Sequence, residues 1–313
     1  MKYLPDIPAW PQLPGRSSSE NMVIQYSGGF PGLVVDGDRV RVEPSADFEG
    51  ELEQVHVDAE LDNEHEYGIS SEYAAGLHDF LSRARGSRTV KGQVTGPITW
   101  GLTVTRQDGL GVLYDDTLAE TAAKFLRLKA SWQEKRLREI SSNTIVFVDE
   151  PGLVSLGSVF APIPEHRVPF LLQEVFRGIK GTKGLHCCGN TDWSVLLDTE
   201  IDILSFDAYN YASSLSTYSH KVKSFLERGG SIAWGIVPSD EDSLAKESLP
   251  SLRDRLEEAM ASFTRDGAKF RRILAQGLVT PSCGLAGLSP DAATRALELT
   301  ADLSHALRRR YAA

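Results

Sequence analysis

Cysteine is scarce in this chain, with three residues in 313. Two are adjacent, which makes a poor disulfide framework and points to a reducing cytoplasm. Long apolar runs are missing as well. No stretch approaches the roughly eighteen residues that a membrane span needs. The start, Met1-Lys2-Tyr3-Leu4-Pro5-Asp6-Ile7-Pro8, has too little apolar length and too many prolines for a signal peptide. Basic charge is in deficit, 33 Lys and Arg against 43 Asp and Glu for a net charge of -10, so no nucleic-acid footprint is expected. The run Arg308-Arg309-Arg310 closes a predicted helix, where cations suit the helix dipole. No Gly-x-Gly-x-x-Gly turn follows an early strand, so a dinucleotide crease has no support. What remains is globular composition, 41% hydrophobic and 24% charged, in a chain of a length at which α/β barrels form single domains.

Prolines at 5, 8, 11 and 14 predict an extended arm, whose Trp10-Pro11-Gln12 is expected either to cover one end of a barrel or simply to pack. Residues 34–42 alternate apolar and polar around Asp36-Gly37, a hairpin signal. Acidic sequence through Glu66 reads as irregular. From Glu72 the pattern becomes alternating helices and strands. Ser71 is positioned to cap a helix to about Arg85, and Thr89 to Thr95 reads as a strand. A helix then runs from Asp116 or Thr117 to about Ile140, and Thr144 to Val148 is an apolar strand. Further helices are expected over about 166–179, 216–228, 243–265 and 267–275. Strands are expected before Cys187, over Ile201 to Phe206, over Ser231 to Val237 and over Gly277 to Ser282. Ser289-Pro290-Asp291 starts a closing helix. Six parallel-type strands after residue 88 predict a (β/α)8 TIM barrel with an N-terminal extended arm and hairpin, its remaining strands drawn from the first third. The domain is read as single over 1–313, with arm and irregular segment at 1–70 and the main βα units at 71–313. A doubly wound open sheet is the alternative.

All three cysteines fall in two strand-end turns, Gly184-Leu185-His186-Cys187-Cys188-Gly189-Asn190 and Thr280-Pro281-Ser282-Cys283-Gly284. Side chains alternate along a strand, so His186 and Cys188 point one way and Cys187 the other. Together with Cys283 they make a His/Cys/Cys set, a recognised zinc shell with one position left for water or substrate. Free cysteine is also a common core filler, and inert packing stays open. The other histidines, at 56, 65, 78, 166, 220 and 305, have no companion ligands in the sequence.

Barrel catalysis uses the C-terminal ends of strands. Those ends carry Thr95-Gly96-Pro97, Asp149-Glu150, His186 and Cys188, Asp207, Pro238-Ser239-Asp240 and Cys283. Asp149 and Glu150 follow a fully apolar strand, where a carboxylate needs a partner, so they are the candidate catalytic pair. A cationic substrate group would serve as partner, and so would a helix N-terminus. Asp207 is a candidate fourth metal ligand, an orienting group for His186, or a cap.

Four motifs then carry a resemblance: Lys91-Gly92-Gln93-Val94-Thr95-Gly96-Pro97-Ile98-Thr99, Val148-Asp149-Glu150-Pro151, His186-x-Cys188, and Pro281-x-Cys283-Gly284-Leu285. In this order they resemble the catalytic barrel of cobalamin-independent methionine synthase, in its short core form. The wider superfamily is that of uroporphyrinogen decarboxylase and the corrinoid methyltransferases. The resemblance covers about residues 88 to 305, and His186-Cys187-Cys188-Gly189-Asn190 is similar to a His-x-Cys-Gly-Asn of the corrinoid enzymes. It implies that His186, Cys188 and Cys283 bind Zn2+ and that Asp149 contacts the amino group of an amino-acid thiol. Asp207 stands where the family has a glutamate ligand, and Glu72 or Glu64 is the candidate for the second amino-group carboxylate.

A thiol with a pKa near 8.5 is mostly protonated at neutral pH, and metal coordination ionises it. The site and the resemblance together imply methyl transfer to homocysteine, forming methionine. Full-length methionine synthases of this kind resemble two fused barrels and use a methylfolate. A single barrel implies a methylcorrinoid donor, methylcobalamin or a corrinoid protein. The alternatives are transfer to coenzyme M or another small thiol, a non-catalytic corrinoid- or metal-binding protein, and a decarboxylase-like protein. The last is disfavoured because the N-terminus offers only Arg16 before Arg39.

Overall fold

The computed structural model describes residues 2–156, 163 and 166–311. The outermost residues of the expected 1–313 domain, 1 and 312–313, lie outside them. The chain falls into two compact units, one of Asp6–Lys183 and one of Gly184–Ala313 with Met1–Pro5.

In the unit of Asp6–Lys183, β1 (Leu33–Asp36) and β2 (Arg39–Val42) form the antiparallel hairpin, turning at Gly37 with φ +60°. β3 (Thr89–Thr95) pairs in parallel with β4 (Asn143–Asp149), from Thr89↔Asn143 to Thr95↔Asp149. The arm lies along β3: Lys91 N–H donates to Pro8 O at 2.9 Å and Ala9 bridges Lys91 in parallel. The free edge of β3 is satisfied from the helix Asp116–Arg138. Gln133 Oε1 accepts from Gln93 N–H and from Trp10 Nε1–H, both at 3.0 Å, and Gln133 Nε2–H donates to Gln93 O at 2.8 Å. Gly92 makes this reach possible, because a Cβ there would lie 2.1 Å from Gln133 Oε1.

The helix Asp116–Arg138 matches the expected span, and Asp115 caps it by accepting from Leu118 N–H at 3.0 Å. Two expectations are corrected here. The stretch read as irregular contains the helix Phe48–Glu60, which buries Leu52, Val55 and Ala59. Those three apolar residues at spacings of three and four make a narrow stripe among acidic side chains, and tertiary packing rather than periodicity completes the helix. The next helix runs over Ala75–Arg83 with Ala74 at its N-cap and no side-chain cap, so Ser71 does not start it. Its first turn is set by packing on the arm: a Cβ on Gly76 would meet Pro11 O at 2.1 Å.

In the unit of Gly184–Ala313, β5 (Thr182–Cys187, of which Gly184 onward lies in this unit), β6 (Ile203–Phe206), β7 (Ser231–Val237) and β8 (Gly277–Pro281) pair successively in parallel. Trp193, Phe206, Trp234 and Phe263 stack edge to face at centroid separations of 5.6 to 5.7 Å. The two tryptophans are therefore core. The expected helix at 216–228 is Ser219–Glu227, and an unexpected one, Ala208–Ser216, precedes it. The expected helix at 243–265 also divides, into Glu241–Leu244 and Leu249–Ser262. Ser248 and Ser251 form a reciprocal capping box at the restart, with Pro250 in the first turn, where its missing N–H leaves no bond unmade. The closing helix is Pro290–Tyr311. The architecture is thus α/β, with two parallel strands in one unit, four in the other, and a small antiparallel hairpin.

Candidate metal centre

β5 ends at Cys187, and its burial alternates as the period of two requires: Leu185 and Cys187 are wholly buried, and His186 and Cys188 are half-exposed. β8 ends at Pro281, and the chain turns there to present Cys283. One ligand atom each from His186, Cys188 and Cys283 lies within 4.8 Å of the other two. Cys187 is turned away, with its S–H directed at Gly189 O at 3.6 Å.

The neighbouring strand sets the histidine. The register places His186 opposite Ser205, and His186 Nδ1 sits 2.9 Å from Ser205 Oγ. That bond leaves Nε2 as the ring nitrogen available to a ligand. Close strand packing brings the cysteine turn in. A Cβ on Gly235 would meet Phe206 O at 2.5 Å and Ser282 Cα at 2.8 Å. Ser282 is itself fixed by N–H to Val237 O at 2.8 Å and by its Oγ, 2.9 Å from Ser239 Oγ.

The two thiols are hydrogen-bonded to each other. The hydrogen bond from Cys188, helped by His186, lowers the Cys283 pKa, while the same bond and burial push Cys188 above the ordinary thiol range. A tetrahedral zinc with sulfur bonds near 2.3 Å and nitrogen bonds near 2.0 Å needs ligand atoms roughly 3.3 to 3.8 Å apart. Side chains on half-exposed strand ends reach that spacing by rotamer adjustment, so the donor set fits zinc.

Asp207 lies beside the cluster but not in it. It caps the helix Ala208–Ser216, with Oδ1 accepting Asn210 N–H at 3.0 Å and Oδ2 accepting Asn210 Nδ2–H at 2.7 Å. Burial raises its pKa, these bonds lower it, and the Cys283 charge adds to the rise.

The remaining candidates belong to the unit of Asp6–Lys183. Asp149 ends β4 half-exposed, near Lys91 and Tyr26. Burial lowers the Lys91 pKa and the Asp149 charge opposes that shift; burial raises that of Tyr26 and the Asp149 charge adds to it. Glu150 is wholly buried and turned into the N-terminus of the helix Pro97–Thr103. It accepts Ile98 N–H at 2.8 Å, Thr99 N–H at 2.7 Å and Thr99 Oγ–H at 2.5 Å. Burial raises its pKa to about 7 against those three bonds. Its geometry is that of a group that positions Gly96 to Thr99 rather than one offered to a substrate. Glu72 is exposed, and its backbone carbonyl accepts from Arg16 at 2.8 Å. Glu64 is buried, pairs with Lys135 at 2.5 Å, and has Oε2 without a hydrogen-bond partner among the described residues. Tyr209 is held by Glu247 at 2.8 Å beneath Arg255. Sequence reasoning missed Ser205, Gly235 and Asn210; Ser205 alone carried a signal, as the one hydroxyl in an otherwise apolar strand.

No family model matches the chain, and no curated protein does. Solved structures do. A protein assigned as a vitamin-B12-independent methionine synthase from Listeria monocytogenes superposes with a TM-score of 0.58 at 15% identity, over 90% of this chain and 77% of that one. A methyltransferase from Methanosarcina mazei superposes with a TM-score of 0.51 at 16% identity, over 76% of this chain and 63% of that one. At such identities the likeness is one of fold, and this chain has the fold of those proteins over most of its length.

Proposed function

We propose that this chain is a zinc-dependent methyltransferase that moves a methyl group from a methylcorrinoid, free or protein-bound, to the thiol of homocysteine, forming methionine. The proposal includes a single cytoplasmic (β/α)8 barrel over 1–313. The observation that carries it is the gathering of His186, Cys188 and Cys283 within 4.8 Å at the ends of two strands. The shared fold with proteins assigned as a methionine synthase and a methyltransferase supports it.

Bound to these three residues, zinc would supply a Lewis-acid centre that keeps an incoming thiol ionised near neutral pH. The chain's own residues do the rest. Ser205 holds the His186 ring in one orientation. The hydrogen bond from Cys188 and the neighbouring His186 lower the Cys283 pKa, which favours its ionisation as a ligand. Asp149 offers a carboxylate to the substrate's ammonium group, with Glu72 or Glu64 as the second. Glu150 keeps the start of the helix Pro97–Thr103 in place.

Methionine formation from methylcobalamin and homocysteine tests this. Turnover that depends on zinc and falls at least about a hundredfold in Cys283→Ser, as expected for a removed ligand, supports it. A zinc-loaded protein that makes no methionine contradicts it. Rescue of a methionine auxotroph separates homocysteine from coenzyme M or another thiol as acceptor.

A further inference from the structure

A carboxylate stands beside the cluster at the end of β6, and the structure turns it elsewhere. Ser205 and Asp207 are two positions apart in extended backbone and so share a face. Ser205 uses that face to reach His186. Continuing the register of His186↔Ser205 and Cys187↔Phe206 brings Asp207 level with Cys188. Nothing in strand geometry keeps this carboxylate from the metal position.

Asn210 binds it instead. One oxygen of Asp207 accepts the Asn210 backbone N–H, which alone would cap the helix Ala208–Ser216. The other accepts the Asn210 side-chain amide at 2.7 Å, a bond that capping does not require. Each oxygen thereby accepts one bond from Asn210, and both bonds draw the carboxylate toward the helix while the ligand atoms of His186, Cys188 and Cys283 gather without it. The geometry points to Asn210 as a positioning residue that holds Asp207 off the metal, leaving a His/Cys/Cys shell whose fourth position is open to a small thiol. This rests on the zinc reading above and, of the three roles the sequence left open for Asp207, takes the cap over the fourth ligand.

Cobalt(II) is a suitable probe, because its visible bands report coordination and its near-ultraviolet bands count thiolates. The parent protein should show two thiolates and gain a third on addition of homocysteine. Asp207→Asn keeps the cap and should leave the cobalt spectrum and the zinc Kd within about twofold of the parent, well short of the tenfold or more that follows loss of a metal-site partner. Asn210→Ala frees Oδ2 and should weaken homocysteine binding about tenfold, a loss on the scale of disturbed metal-site partners. Adding Asp207→Asn to Asn210→Ala should restore the parent spectrum and thiol affinity, which a merely structural role for Asn210 would not do. Melting curves confirm that each variant folds. If Asp207→Asn shifts the visible bands or weakens zinc by about tenfold, Asp207 is a ligand and the inference falls while the metal centre stands. Unchanged thiol binding in Asn210→Ala also overturns it. A parent protein that takes up neither cobalt nor zinc removes both.

Discussion

Ser205 is a small test of the metal centre, since it touches His186 and contributes no ligand of its own. Replacing it with alanine should weaken zinc binding by about 10- to 100-fold, measured by chelator competition, because an unsupported imidazole loses its fixed orientation. An unchanged affinity would show that the ring is oriented by something else. The cysteine pair divides by the same logic. Cys187 is fully buried and faces away, so Cys187→Ser should retain zinc and lose about 1 to 3 kcal/mol of stability for the buried hydroxyl. Cys188→Ser should abolish stoichiometric zinc, and the opposite pattern would mean that the strand faces are exchanged. Alternation made this division legible in the sequence. The roles of Glu150 and Asp207 were not, because a carboxylate at a strand end looks the same whether it serves a substrate or caps a helix. Glu150 also gives the fold a pH dependence. Its folded pKa of about 7 lies above the ordinary carboxylate value, so the folded state binds the extra proton. Stability contributed by Glu150 is therefore greatest at acid pH and is lost as pH rises through about 7, by roughly 3 kcal/mol at most. Denaturant midpoints from pH 5 to 8 should show that slope in the parent and a smaller one in Glu150→Gln; identical slopes would contradict it.

At the scale of elements, Gly235 links fold to site. A methyl group there would strike Phe206 O and Ser282 Cα, so Gly235→Ala has to move β6 or the turn that carries Cys283. The expected result is a loss of about 1 to 3 kcal/mol together with weaker zinc binding. A variant as stable as the parent with unaltered zinc affinity would show that the strands yield without disturbing the turn. The strands themselves were readable because each is a short run of apolar or β-branched residues bounded by turn chemistry. β3 matches its expected span, and β4 differs by a residue at each end. Helix ends were harder. Ser71 and Ala74 compete for one helix start, and contact between Gly76 and the arm decides it, a long-range effect that no local window contains. The helix Phe48–Glu60 was missed because its buried stripe is only three apolar residues wide.

For the whole molecule, the sequence contains the order of six parallel-type strands and the hairpin, while the sheet edge at β3 depends on Trp10 and Gln133, residues far apart in the chain. Among the described residues no helix is long and apolar enough to cross a membrane. The shared fold of proteins at 15 to 16% identity shows how little of the sequence that architecture requires. The candidate metal centre rests on Cys188 and Cys283 gathered with His186. X-ray absorption at the zinc edge, with zinc counted per chain before and after homocysteine is added, therefore tests the account most directly. The account predicts one zinc per chain bound by two sulfurs and one imidazole, with the sulfur count rising to three when the thiol arrives. A protein without zinc, or a metal shell that ignores homocysteine, would contradict it.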